Sequence, residues 1–319
     1  MSFSKTSFFE KSRRLEALIF LLLTLYPLTL NFFFGYFSML FAFALSAFEW
    51  DILTPMKFVG LKNYQEMLSE IVHGVEVLVS SPRVLHLRAP FFNGLKNILL
   101  YTAMVVPTQT LLALVLAAVA NQRVRGAHFF RVAYFLPATT CPVIISLIFI
   151  WLFMRDGFVN YLISPLTGGF KPDWLRDPNF LLPAIALVAI WGTSAHFFVT
   201  FLAGLQALPR EVYEAAKIDG AGALARFIYI TIPLLKPLVT YVVVLGTIGA
   251  LQMFDLAWVM AGAGGGAGGA GYTVALDIYN TAFVQLRYGY AAAKAVLLFA
   301  IIFTLNYYVQ KKLAFGRVT

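Results

Sequence analysis

Four stretches of this 319-residue chain run for 23 to 32 residues without a charged side chain: 17–48, 97–122, 132–154 and 178–209. About 20 apolar residues in a helix cross the hydrocarbon core of a bilayer, so each run is long enough to span. Two further runs qualify with one interruption each, 237–260 with Asp255 inside it and 288–309 with Lys294 inside it. Hydrocarbon offers no hydrogen bonds to the backbone, so segments of this length must close their own as helices. The expected fold is therefore all-α, a polytopic membrane protein with six transmembrane helices. Only 12% of residues are charged, against about 25% in soluble domains. The first run is too long for a signal-peptide core and lacks a small-residue cleavage site after it, so it reads as a retained anchor.

Six spans put both termini on one side. That side collects Lys5, Lys11, Arg13, Arg14, Arg123, Arg125, Arg131, Arg210, Lys217, Arg226, Lys236, Lys311, Lys312 and Arg317. It holds only the acids Glu10, Glu16, Glu211, Glu214 and Asp219, so the whole formal charge of +9 falls there. Cations flanking spans mark the cytoplasmic face. Topology thus accounts for the basic character, and a nucleic-acid partner is not expected. Cys141 is the only cysteine, which excludes an intramolecular disulfide and a thiolate metal site; inside the third run it reads as a packing residue.

The organisation follows: a cytoplasmic tail at 1–16, the membrane-spanning body at 17–315, and a cytoplasmic terminus at 316–319. Pro27 is a candidate kink in the first helix, and Pro137 and Pro142 are candidate bends in the third. Residues 49–92 form a long outer loop of mixed charge, long enough for a small folded cap. The run 261–271 is alanine and glycine only. No lysine follows it as a phosphate loop requires, and it reads as a flexible outer loop.

The inner loop at 209–233 is the most informative segment. Arg210, Glu211, Glu214, Lys217, Asp219 and Arg226 all need water, because burying them unpaired in hydrocarbon is costly. Acids in the first turn favour a helix, giving one short helix over 212–218. Gly220 and Gly222 break it, a second helix follows over 223–230, and Pro233 and Pro237 lead into the fifth span. A structured polar elbow under a lipid-embedded body is a docking surface.

In this loop Glu214-Ala215-Ala216, Gly220, Ile230 and Pro233 stand at the spacing of the EAA motif, which they resemble, with Ile232 where leucine is usual. That motif belongs to bacterial ABC-importer permeases. Further segments are similar to the maltose-type carbohydrate subfamily: Ser46-Ala47-Phe48-Glu49-Trp50-Asp51, Phe58-Val59-Gly60-Leu61-Lys62-Asn63-Tyr64, Trp174-Leu175, Ala203-Gly204-Leu205-Gln206, Phe254-Asp255, and Phe283 with Tyr288-Gly289-Tyr290-Ala291. The chain departs from that family after the fifth span, where the Ala/Gly run replaces a Gly-Gly-Pro turn, and at 65–92, which is longer than usual. The resemblance implies a second homologous permease, a cytoplasmic ATPase dimer that binds ATP and Mg, and an extracytoplasmic solute-binding protein. It implies no cofactor in this chain, a bacterial or archaeal plasma membrane, and a non-catalytic subunit. It further implies coupling through Glu214 as the anchor toward a cation of the ATPase. Ala215 and Ala216 keep the contact face low, Gly220 permits the turn, and Asp219 and Pro233 belong to the same element.

Polar residues inside spans are candidates for the solute path. Gln252, Asp255 and Trp258 are spaced three apart on the expected fifth helix and would share a face, with amide and carboxylate for hydroxyls and an aromatic ring for a sugar face. Simple solvation at the outer end of the span is the rival account of Asp255. Trp191 and His196 on the fourth helix lie about 140° apart at roughly 100° per residue and cannot both face one pore. Lys294 either snorkels to the outer headgroups or pairs with Asp255. A carbohydrate, mono- or oligosaccharide, is the expected cargo, with glycerol-3-phosphate or a related polyol ester as the alternative. A self-sufficient secondary transporter would need more carboxylates in the spans than Asp255, and no paired carboxylates, histidine cluster or nucleophile points to a membrane-embedded enzyme.

Overall fold

The computed structural model describes the backbone of residues 4–122 and 126–314, and side chains from Glu16 onward within them except Arg83 and those at 127, 313 and 314. The first three residues of the tail, Arg123 and Arg125 of the second inner turn, and the terminus at 316–319 lie outside the described residues. The described residues are mostly helical, with one two-stranded ribbon among them pairing Phe48–Glu49 with Lys57–Phe58.

Helix α1 (Ser4–Leu30) runs through a π-helical stretch, Asn31–Phe37, into α2 (Ser38–Leu45). In the span Glu16–Leu45 no residue of the most apolar window is buried by the rest of the chain. The long loop after α2 holds α3 (Lys62–Ser80), which packs against α4 (Pro90–Ala120). The third apolar run divides into α5 (Ala127–Phe135) and α6 (Pro142–Leu152). Then come α7 (Pro178–Gln206), the inner helices α8 (Arg210–Ile218) and α9 (Ala223–Arg226), then α10 (Lys236–Leu251), α11 (Asp255–Ala261), α12 (Val274–Tyr279) and α13 (Tyr288–Ala314).

Among the described residues four helices are long and apolar enough to cross a membrane, or up to six spans when each of two bent pairs is taken as one. Proline explains the first bend. Pro137 and Pro142 flank a segment that turns the chain by 102°, far beyond a kink, because each proline removes a backbone donor and clashes with the preceding turn. Cys141 sits at this break and is exposed, so the expected packing role inside a span does not hold. The second bend, 69° between Ala223–Leu234 and Lys236–Leu251, joins the inner elbow to α10.

The core lies between α4 and α7, where Ala113, Ala117 and Ala120 let the helices approach Phe198 and Phe201, all at 1% exposure or less. Small residues at such a seam permit the close packing that holds membrane helices together. Asp177 caps α7 by accepting from Asn179 N–H at 2.8 Å, with Pro178 at the first helical position, the arrangement expected of a helix start. The Ala/Gly run is not a flexible loop. Asn93 donates to the Gly269 carbonyl at 2.9 Å, and Asn97 donates to the carbonyls of Gly269 at 2.8 Å and Tyr272 at 3.0 Å. Side chains projecting from α4 thus absorb the carbonyls that a glycine-rich turn leaves open.

Candidate functional site

The fifth apolar run does not continue as one helix. α10 ends at Leu251 and α11 begins at Asp255, so Gln252, Asp255 and Trp258 do not share a helical face. Irregular backbone at this depth requires protein partners for its freed polar groups, and buried Thr273 supplies one by donating its hydroxyl to the Met253 carbonyl at 3.0 Å. The break serves the site in another way. It turns Gln252 and Asp255 together toward a cavity of about 270 Å³ between α4, α7 and α10.

That cavity contains two groups the sequence reading passed over. Gln109 on α4, 1% exposed, accepts a hydrogen bond from the Thr193 hydroxyl on α7. A Cβ built on Gly246 would come within 2.3 Å of the Gln109 amide nitrogen, so α10 must present glycine there for the amide to fit. Tyr101, Phe197 and Phe254 add aromatic wall. Trp258 lies outside the cavity and packs with Phe254 and Tyr279 at ring distances of 5.6 and 5.0 Å. Trp191 packs on Phe149 at 5.4 Å, and neither it nor exposed His196 lines the cavity.

Lys294 overturns both expectations made for it. It is 3% exposed, so it does not snorkel, and its partner is not Asp255. Its ammonium donates to the Asp277 carboxylate at 2.6 Å and to the Thr281 hydroxyl at 3.1 Å, with Glu70 at 3.8 Å. The rings of Tyr290 and Phe91 face it at 4.4 and 5.5 Å, a cation–π setting. Asp277 is 1% exposed and accepts a second bond from the Tyr272 hydroxyl. Glu70, from the outer helix α3, accepts from Phe91 N–H at the start of α4 and from the Tyr290 hydroxyl on α13, both at 2.8 Å. Beside this cluster Arg287 pairs with Glu66 at 2.7 Å, and its hydrogen bond holds the Glu66 carboxyl below the usual carboxylate range against the opposing effect of burial. A lone carboxylate in Leu276-Asp277-Ile278 was the signal available in the sequence, hidden because 274–284 is too short to count as a span.

The segment 209–233 folds as two short helices joined by a turn. α8 covers 210–218, and Asp219 is its cap. Gly220 has φ +80°, and the bonds Gly220 N–H to Lys217 carbonyl and Ala221 N–H to Ala216 carbonyl close the turn. This pair defines a Schellman motif, which needs a left-handed residue at that position. Arg226 donates to the Ala221 carbonyl and Tyr213 meets Thr231, tying the two limbs. Glu214 and Ala215 are exposed, whereas Ala216 is buried against its own chain. Ala216 therefore packs the elbow rather than forming its outer face. The elbow also exposes Ile218 at 86%, Tyr229 at 77% and Leu224 at 72%. Pro233 lies in the short turn Ile232–Leu234 just before the 69° bend.

Comparison with known proteins places this architecture. Residues 109–314 match the family described as binding-protein-dependent transport system inner membrane component. The chain belongs to that family. As a permease of this kind it is 35% identical to the sulfoquinovosyl glycerol transport system permease protein SmoG of Agrobacterium fabrum, over 77% of this chain and 74% of that one. It is 34% identical to the trehalose/maltose transport system permease protein MalF of Thermococcus litoralis, over 78% of each. The permease also superposes on a solved chain of a bacterial ABC transporter involved in the import of the acidic polysaccharide alginate. That match has a TM-score of 0.70 at 17% identity, covering 97% of this chain and 99% of the other. It is a multi-pass membrane protein of the ABC-permease fold.

Proposed function

We propose that this permease moves a carbohydrate, a mono- or oligosaccharide, into the cytoplasm. It works as one of two related permeases seated on a pair of ATPase subunits and served by an external solute-binding protein. The observation that carries the cargo assignment is the cavity at the helix break. The amides of Gln109 and Gln252, the hydroxyls of Thr193 and Tyr101 and the carboxylate of Asp255 stand beside the rings of Phe197 and Phe254. Such a mixture offers donors and acceptors to hydroxyls and flat apolar faces to a sugar ring, the small set of placed polar groups typical of a ligand site.

The energy enters from below. ATP and Mg are bound by the separate ATPase subunits, and the elbow from α8 to α9 takes up their movement. Exposed Glu214 pairs with a cation of the ATPase, while Ile218, Leu224 and Tyr229 supply apolar contact around it. The Schellman turn at Asp219 and Gly220 makes the elbow stiff, so displacement passes through the Pro233 bend to α10 and its cavity, a rigid-body mode of switching. Both termini and the elbow then lie in the cytoplasm, six spans cross the membrane, and the uncovered face of α1 and α2 meets lipid or the second permease.

The test is reconstitution of the whole importer in proteoliposomes with its second permease, ATPases and binding protein. Sugar loaded on the binding protein should raise ATP hydrolysis and accumulate inside. A binding protein that retains no carbohydrate, or sugar loading without effect on either readout, would overturn the assignment.

A further inference from the structure

Helix α3 carries an apolar stripe that the described residues leave uncovered, although its inner side is pinned to the ends of three membrane-spanning helices. Asn63 donates to the Ser46 and Phe48 carbonyls just past α2, both at 2.9 Å. Gly74 lies against Phe92 at the start of α4, where a Cβ would come within 2.5 Å of the ring. Glu66 pairs with Arg287 just before α13. These ends are remote from the elbow, because the opposite end of α4, at Ala120, packs in one cluster with Leu205 beside it. At about 100° per residue, α3 divides into sectors. Asn63, Met67, Glu70, Gly74 and Val77 form the side turned to the spans, and all but Glu70 are buried. Lys62, Gln65, Ser69, His73, Glu76 and Ser80 form an exposed polar flank. Leu68, Val72, Val75 and Val79, 49 to 83% exposed, fall within about 60° of one another at that helical spacing. Tyr64, Ile71 and Leu78, roughly opposite the polar flank, join this stripe to the buried side without a charge.

We infer that α3 lies in the membrane surface beside the helical bundle, with its apolar stripe sunk among lipid acyl chains and its polar flank in water. A helix pinned at the mouths of three spans stands at the level of the headgroups, where one apolar and one polar side are the composition of an interfacial helix. The order of the sectors decides between lipid and a water-borne protein. A patch for a soluble partner has a polar rim around it. Here only one margin is polar, and the other stays apolar back to the spans. With the orientation proposed above, the leaflet is the outer one. The inference does not depend on which cargo is carried.

The experiment reads the surroundings of α3 position by position. The complete importer, carrying Cys141→Ser and cysteine-free partner subunits, is reconstituted in phosphatidylethanolamine and phosphatidylglycerol vesicles. Single nitroxides are attached through Leu68→Cys, Val72→Cys, Val75→Cys and Val79→Cys on the stripe, and through Gln65→Cys, Ser69→Cys and Glu76→Cys on the flank. At each position collision with oxygen, which concentrates in acyl chains, is compared with collision with a water-soluble nickel chelate. The apolar face of an interfacial helix sits about 5–10 Å into the boundary, so the oxygen-to-nickel ratio should be roughly fivefold or more higher on the stripe than on the flank. It should rise and fall along 65–79 with the helical period. A stripe no richer in oxygen than the flank overturns the inference. So does a stripe closed to both reagents, as a covering permease would make it, or one that loses its oxygen access when the solute-binding protein is added.

Discussion

Replacing Lys294 with methionine tests the outer polar cluster most sharply. The change keeps length and apolar volume but strands the Asp277 carboxylate at 1% exposure, with only the Tyr272 hydroxyl left to it. Removing one partner of a buried pair costs about 3–5 kcal/mol, because the remaining charge cannot return to water. The lost cation–π contacts act in the same direction. At about 2–4 °C per kcal/mol for a chain of this size, the melting midpoint of Lys294→Met in nanodiscs should fall by roughly 6–20 °C, read by tryptophan fluorescence. The double variant Lys294→Met with Asp277→Leu removes both charges and should recover most of the loss, since a buried pair is often nearly neutral against an apolar replacement. Glu70 keeps its bonds to Phe91 N–H and the Tyr290 hydroxyl in both variants, so it is common to the comparison. A drop of less than about 1 kcal/mol in the single variant, or a double variant no better than the single, would refute the reasoning. The same cycle run between Lys294 and Asp255 should show additive effects, because the two side chains are not partners.

Gly220→Val places a branched side chain at φ +80° and should unlock the elbow. With Glu214→Lys as a companion, uptake should be lost while both variants still insert, checked by proteoliposome uptake beside a membrane-fraction assay. Gly246→Ala would push the Gln109 amide and should cost about 1–3 kcal/mol by overpacking, with sugar uptake reduced in parallel. The Glu66–Arg287 pair is close to half exposed, so screening limits it to at most about 1 kcal/mol. Because the folded state lowers the Glu66 pKa, that stability is present near neutral pH and lost as pH falls through the lowered value. Glu66→Gln should accordingly reduce the melting midpoint at pH 7 and converge with the wild type in strong acid.

Much of the architecture was legible because charge-free length is a direct consequence of bilayer thickness. The elbow was legible for the opposite reason: charged residues between apolar runs cannot enter lipid, and Gly220 stands where the turn between its two helices needs a left-handed residue. The cavity was only half legible. Gln252 and Asp255 stood out as polar residues in an apolar run, but a helix of period 3.6 was assumed through 252–254, and nothing local signals that Thr273 catches the Met253 carbonyl. Gln109 was invisible because an amide in a span is more often a helix-packing group, and its significance depends on Gly246 across the cavity. Lys294 was misassigned through a missing partner. Asp277 is seventeen residues away in sequence, in a segment too short to be counted among the spans, and only tertiary folding brings them together.

Glu70 joins the outer helix to the start of α4 and, through Tyr290, to the final long helix, using both oxygens of one carboxyl group. Three helices, the last of them some two hundred residues further along the chain, are thereby joined at one carboxylate. Any motion at that end must move them together, while the helix break at 252–254 is held separately by the Thr273 hydroxyl on the Met253 carbonyl. Backbone amide exchange should reflect this tie, slow along 62–80 and faster there once Glu70→Ala removes it.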